Sequence, residues 1–269
     1  MVNKVVIITG ASSGIGLACA KEYASRGAAV SICARSADKL EEIKNELQSA
    51  GHRILVTPAD VSKEEDCKRL IENTVKEFGK IDILINNAGI SMRALFVDVD
   101  LAVMHKLMDV NFWGTVYCTK YALPYILQQK GSVVGVTSIA GFIGLPGRVG
   151  YSASKFAING FLETIRVENL KTGLHVMVAA PGFTASNVRK AALTANGSAQ
   201  GETPRHEEDM MSAEEVAVHM VKAINRRKRT LVLTFVEGKL TVFLRKWLPS
   251  LVDYFTYKFM AREPDSPFK

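Results

Sequence analysis

Tyr151 and Lys155 enclose the string YSASK and stand four positions apart. On a helix that spacing is about one turn, so a phenol and an ammonium share one face. A free tyrosine titrates near pH ~10, high for a group that must exchange protons near neutrality. A neighbouring positive charge stabilises the phenolate and lowers that value, which would make the pair a proton relay. On an ordinary surface helix the same pair is decoration, so the chemistry depends on what the rest of the chain sets beside it.

A second group of residues could hold an anion. TGASSGIG, residues 9–16, joins a buried-strand pattern to a helical one. Gly10, Gly14 and Gly16 allow a tight turn and a backbone clear of Cβ atoms, with Ser12, Ser13 and Ile15 between them. A pyrophosphate could then approach the unpaired amides at a helix N-terminus. No Gly-Lys-Ser/Thr follows, so this is not a Walker loop. The next strand pattern ends in ICARS, where dinucleotide folds often place an acid for the ribose hydroxyls. Ala34 stands there, followed by Arg35 and Ser36. A guanidinium suits a 2′-phosphate and an acid would repel it, so NADP(H) is expected over NAD(H).

The pattern T-G-x-x-x-G-x-G resembles the short-chain dehydrogenase/reductase family, in particular its NADP-preferring carbonyl and hydroxysteroid-type reductases. Further stretches match in order: Asp60 and Val61, then NNAG at 86–89, Asn111 in MDVNFWG, Ser138 thirteen residues before Tyr151, and Pro181-Gly182. The resemblance covers roughly residues 4–185. It implies a catalytic tetrad of Asn111, Ser138, Tyr151 and Lys155. It also implies cofactor contacts from the glycine loop, Asp60 and Val61 at the adenine, and Asn87, Ala88 and Gly89 along the nucleotide. Lys155 would reach the nicotinamide ribose, and Tyr151, Pro181, Gly182, Phe183 and Thr184 would lie near the nicotinamide. Ser186 is the alternative to Thr184 as the carboxamide ligand. In the family the asparagine holds a water that links the lysine to solvent. A basic residue often found inside the glycine loop is absent, with Ser13 in its place, which keeps NAD(H) as the alternative cofactor.

These residues need elements to hold them, and the chain alternates strand and helix throughout. Apolar runs at 4–9, 29–34, 54–60, 81–89, 131–138, 175–182 and 230–235 read as strands. Helical patterns at 16–27, 36–51, 63–79, 100–129, 151–171 and 212–226 separate them. Such alternation predicts an α/β fold: a doubly wound, Rossmann-type parallel sheet of about seven strands in a single domain, helices on both faces. Residues 1–237 would form the nucleotide-binding and catalytic body. The polar stretch 183–211 is expected to be a lid over the strands' C-terminal ends, where open α/β sheets bind ligands. Residues 238–269 form a basic, aromatic extension broken by Pro249.

Composition narrows the function classes. The chain has 269 residues, 48% hydrophobic and 23% charged, an ordinary globular balance. Its four cysteines show no C-x-x-C pair and its five histidines no ligand spacing, so no metal site is expected. No signal-peptide pattern or long apolar run opens the chain, and a reducing, cytoplasmic setting is expected, with a membrane periphery as the alternative. The net charge of +7 gathers partly in KAINRRKRT, read as a solvated helix end rather than a nucleic-acid patch. Met92, Leu95, Phe96, Phe142, Leu145 and Phe183 suggest a lipophilic substrate, steroid-like, ketosphinganine-like or a long-chain ketone. The extension mixes Trp247, Tyr254 and Phe255 with Arg245, Lys246 and Lys258, which suits an interface, core packing or a membrane surface. The expectation is an NADP(H)-dependent carbonyl reductase acting as a homodimer or homotetramer. A cofactor-binding sensor or scaffold, a membrane-peripheral adaptor, and an epimerase or dehydratase are the alternatives.

Overall fold

Strands buried on both faces need uninterrupted apolar runs, and VVIIT and AVSICA supply them. They form β1 (Val5–Thr9) and β2 (Ala29–Ala34), buried at every position. The remaining strands are β3 (Ile54–Pro58), β4 (Ile83–Asn86), β5 (Ser132–Val136), β6 (His175–Ala180) and β7 (Thr230–Val232). All pair in parallel, in the order β3-β2-β1-β4-β5-β6-β7. Pro58, which cannot donate to a ladder, falls on the edge strand β3. The computed structural model describes residues 1–182, 184, 188–201, 210–263 and 266–268, except for the side chain at 237.

Helices cover both faces. On one lie α1 (Gly14–Ser25), α2 (Ala37–Ser49) and α7 (Ala213–Asn225), joined to the strands through Cys19, Tyr23, Leu40, Leu47, Val216 and Met220. On the other lie α3 (Glu64–Phe78), α5 (Gly114–Gln128) and α6 (Val149–Glu168), which bury Leu70, Ile71, Cys118, Ile126, Ile158 and Leu162. A Ser212–Glu215 capping box starts α7, and Gly79 in the left-handed region ends α3. The body is tied at the sheet's far end by Asp82. Burial alone would raise its carboxyl, but hydrogen bonds from Lys4 at 2.8 Å and the Val5 amide at 2.9 Å, with Lys80 at 3.1 Å, hold it below the usual range.

Three expectations need correction. The strands are shorter than the apolar runs: β4 ends at Asn86, β5 at Val136 and β7 at Val232, because the ladder stops where each chain turns toward the site. The stretch at 100–129 is not one α-helix. It is α4 (Leu101–Leu107), a π-helical turn over Met108–Trp113, and α5. The widened turn carries Asn111, whose place is fixed by tertiary hydrogen bonds rather than by helical propensity. The expected helix at 151 begins earlier, at Val149. After β7 the chain makes a second π turn (Phe235–Leu240), then α8 (Thr241–Leu244) and α9 (Pro249–Ala261).

Candidate active site

Strand order reverses between β1 and β4, and a crevice opens there at the strands' C-terminal ends. The crevice is stapled by NNAG. The Asn87 and Ala88 amides both donate to the Thr9 hydroxyl at 3.0 Å, and Asn87 Nδ2 donates to the carbonyls of Thr9 at 2.9 Å and Gly10 at 3.1 Å. Gly10 has φ of 65°, and an added Cβ would lie 2.7 Å from Ala88 Cα. At Gly16 an added Cβ would meet Asn87 Nδ2 and Gly10 O, each at 2.5 Å. The glycine loop is therefore held by the fourth strand's end, a role for Thr9 that the sequence pattern contained but did not separate from the glycines.

Ser13 precedes α1 without capping it through its side chain, so the first-turn amides of a twelve-residue helix meet the crevice uncapped. Such an end, beside a backbone with no room for Cβ atoms, fits a pyrophosphate. The cleft is about 390 Å³, in the range of small-molecule sites. Gly10, Ser12, Ser13, Gly14, Ile15, Arg35, Asp60, Val61, Asn87, Ala88 and Gly89 line it. Arg35 is exposed at the rim. Asp60 accepts from the Ser62 amide and hydroxyl at 3.1 and 2.7 Å. Ser36 lies off the cleft as the cap of α2, accepting from the Lys39 amide at 3.5 Å. Gly16 acts through close packing rather than by lining the cleft.

The other end of the same cleft gathers Ser138, Tyr151, Lys155, Pro181, Gly182 and Thr184. The Ser138 hydroxyl accepts from the Ala140 amide at 3.2 Å and lies close enough to the Tyr151 phenol to lower it. Lys155, buried, donates to the Val136 carbonyl at 2.9 Å, with Nζ 5.6 Å from the centre of the Tyr151 ring. Asn111 is wholly buried: Nδ2 donates to Ile90 O at 3.0 Å and Ser154 Oγ at 2.9 Å, while Oδ1 accepts from Ile90 N at 2.8 Å. A Cβ on Gly89 would sit 3.2 Å from Asn111 Oδ1 and 3.3 Å from Lys155 Nζ, so only a glycine leaves the space between them open. Thr184 donates to the Gly182 carbonyl at 3.2 Å. Phe183 and Ser186 lie outside the described residues, as do 185, 187 and 202–209 of the expected lid.

The electrostatics differ from the simple expectation. Burial is the largest influence on Tyr151 and raises its phenol, while the Ser138 hydrogen bond and the Arg148 charge lower it without reversing the shift. Burial likewise pushes the Lys155 amine down to about 8. The ammonium donates to the Val136 carbonyl, and burial disfavours the charged form of both groups.

Sequence reasoning missed the contribution of the C-terminal extension. Met260 and Glu263 line the cleft. Buried Glu263 pairs with Arg148 at 3.3 Å and Arg93 at 3.7 Å. Val252 packs with Ile139, Ile143 and Ala180 beside the site. The contact between Arg148 and Glu263 spans 115 residues, so no local pattern announces it.

Comparison with known proteins agrees with this geometry. Residues 4–197 match the family model described as short chain dehydrogenase. A mouse protein named dehydrogenase/reductase SDR family member 7B is 35% identical over 254 residues, 93% of this chain and 79% of the relative. 11-beta-hydroxysteroid dehydrogenase 1A from Arabidopsis thaliana is 42% identical over 188 residues, 69% of this chain but only 54% of the relative, so the chain spans about half that protein's length. Among solved structures, an alcohol dehydrogenase from Thermococcus sibiricus complexed with 5-hydroxy-NADP superposes with a TM-score of 0.76 at 26% identity, covering 86% of this chain and 95% of that one. A short chain dehydrogenase/reductase from Burkholderia phymatum in complex with NAD has a TM-score of 0.82 at 23% identity, covering 92% and 94%, and speaks for the fold. With its parallel sheet, glycine-lined crevice and matching sequence, the chain belongs to the short-chain dehydrogenase/reductase family of oxidoreductases.

Proposed function

We propose that the chain is an NADP(H)-dependent oxidoreductase interconverting a ketone and a secondary alcohol on a lipophilic substrate. The observation that carries this reading is one cleft with an uncapped α1 and Arg35 at one end and Ser138, Tyr151 and Lys155 together at the other. When bound, NADP(H) supplies or accepts the hydride. Gly10 and Ser12 to Ile15 would hold its pyrophosphate, Arg35 its 2′-phosphate, and Asp60, Val61 and Asn87 to Gly89 would lie along it.

Tyr151 is the proton donor in reduction and the acceptor in oxidation. Its side chain is partly buried and lines the cleft, so a substrate in the cleft can meet its hydroxyl. Ser138 orients that oxygen through its hydroxyl, already fixed by the Ala140 amide. Lys155 supplies the positive charge that makes a buried phenolate tolerable. Asn111, through Ile90 and Ser154, clamps the segment after NNAG to α6, which carries both Tyr151 and Lys155. Apolar walls from Ile90, Val110, Leu145, Val188 and Met260 support a lipophilic substrate, in keeping with the hydroxysteroid named in the Arabidopsis relative.

The test is a carbonyl panel of steroids, long-chain ketones and small sugars, followed by nicotinamide absorbance with NADPH and NADH. Turnover of a lipophilic ketone with NADPH supports the reading, and Arg35→Ala should weaken NADPH about tenfold or more while sparing NADH. An unchanged ratio of the two affinities would refute the cofactor assignment.

A further inference from the structure

Twenty large apolar side chains are exposed among the described residues, and eleven of them lie between 235 and 259. This concentration is not a consequence of a loose tail, because α9 has a well-buried inner side. Val252 and Met260 are buried there, and Met260 reaches the cleft. On the opposite side Leu251, Tyr254, Phe255 and Lys258 follow the i, i+3, i+4, i+7 spacing of a single helix face, and all four are exposed. Before α9, Phe243 and Trp247 are exposed as well, Trp247 at 71%. A helix apolar on both sides, with only one side covered, lacks a partner for the other.

The charges around this face select the partner. Lys239, Arg245, Lys246, Lys258 and Arg262 stand among the aromatics, against Glu237 and Asp253 as the acids of 235–262, and Asp253 is paired with Arg245 at 3.2 Å. Lys258 lies over the Tyr254 ring at 4.5 Å, so the face mixes cations and rings within single contacts. A symmetric contact with a second copy would set this basic patch against itself, whereas anionic lipid headgroups neutralise it. No helix among the described residues is long and apolar enough to cross a membrane, so the matching geometry is a helix lying in the plane of the headgroups.

We propose that residues 235–262 form a docking surface for an anionic lipid bilayer. The rings of Trp247, Tyr254 and Phe255 enter the headgroup boundary, and Lys246 and Lys258 meet the lipid phosphates. Because the same extension lines the cleft through Met260 and Glu263, docking sets the substrate end of the cleft beside the bilayer. That last link, to a lipophilic substrate, rests on the function proposed above. The docking itself does not, and its assay reads no turnover.

The experiment is sedimentation of the full chain with vesicles of phosphatidylcholine alone and of phosphatidylcholine with phosphatidylserine, at low and high salt. Binding to the anionic vesicles and its weakening by salt are expected. Lys246→Gln combined with Lys258→Gln should weaken partitioning about thirtyfold while thermal stability and NADPH binding persist. No binding to anionic vesicles, equal binding to both vesicle types, or unchanged binding by the double variant would each overturn the proposal. So would analytical ultracentrifugation showing that Trp247→Ser dissolves a self-associated species while vesicle binding is absent.

Discussion

Replacing Lys155 by methionine removes a charge and keeps most of the volume. Nζ lies 5.6 Å from the Tyr151 ring centre. At an effective dielectric of about 20, two unit charges at that separation attract by about 3 kcal/mol. The phenolate of Lys155→Met should therefore be rarer at a given pH by a factor on the order of a hundred. The assay is alcohol oxidation at saturating substrate and NADP, followed from about pH 6 to about pH 10. The variant should be about a hundredfold slower near neutrality, and the deficit should narrow above about pH 8, where the parent's Lys155 loses its own charge. The same substitution should stabilise the fold. Burial lowers Lys155 from 10.5 to about 8, so the unfolded chain holds that proton more tightly and stability rises with pH between those values. Below about pH 8 the buried charge costs about 3 kcal/mol, less about 1 kcal/mol for the hydrogen bond to Val136, so the variant should gain about 2 kcal/mol there and lose about 1 kcal/mol near pH 11, where only the missing hydrogen bond counts. A rate deficit independent of pH, or a variant less stable than the parent at neutral pH, would refute the electrostatic reasoning.

Two further changes probe the cleft's walls. Gly182→Ala would put a Cβ onto Thr234 Cγ2 and 3.0 Å from its Oγ1, pushing the end of β6 away from the chain after β7. NADPH affinity by fluorescence titration should fall about tenfold or more, and an unaltered affinity would remove Gly182 from the site. Glu263→Gln would deprive the half-buried Arg93 and Arg148 of a shared carboxylate. Urea denaturation should show a loss of about 3 kcal/mol, and a loss under about 0.5 kcal/mol would mean that this pairing does not hold the extension to the cleft.

The sheet was legible because strands such as Val5–Thr9 and Ala29–Ala34, covered on both faces, read as unbroken apolar runs. The glycine loop was legible because its spacing serves a turn that only glycine completes at Gly10. The π turn at Met108–Trp113 was not, since one extra residue per turn leaves composition and periodicity almost unchanged. Asn111 was picked out by its motif, yet its bonds to Ile90 and Ser154 depend on how α6 meets the segment after NNAG. The direction of the Tyr151 shift is not legible in the sequence for a related reason. The four-residue spacing to Lys155 is local, whereas burial and the turn of the amine toward Val136 belong to the packed core. The expected basic, aromatic character of the extension was visible in its residues, but not that Met260 and Glu263 return to line the cleft.

The central claim is that the Tyr151 hydroxyl exchanges the proton with the substrate oxygen. Single-turnover reduction by Tyr151→Phe, with NADPH affinity measured alongside, addresses it most directly. The account predicts near-parental cofactor binding and a rate lower by about a thousandfold. A variant that reduces the carbonyl at the parental rate would contradict it.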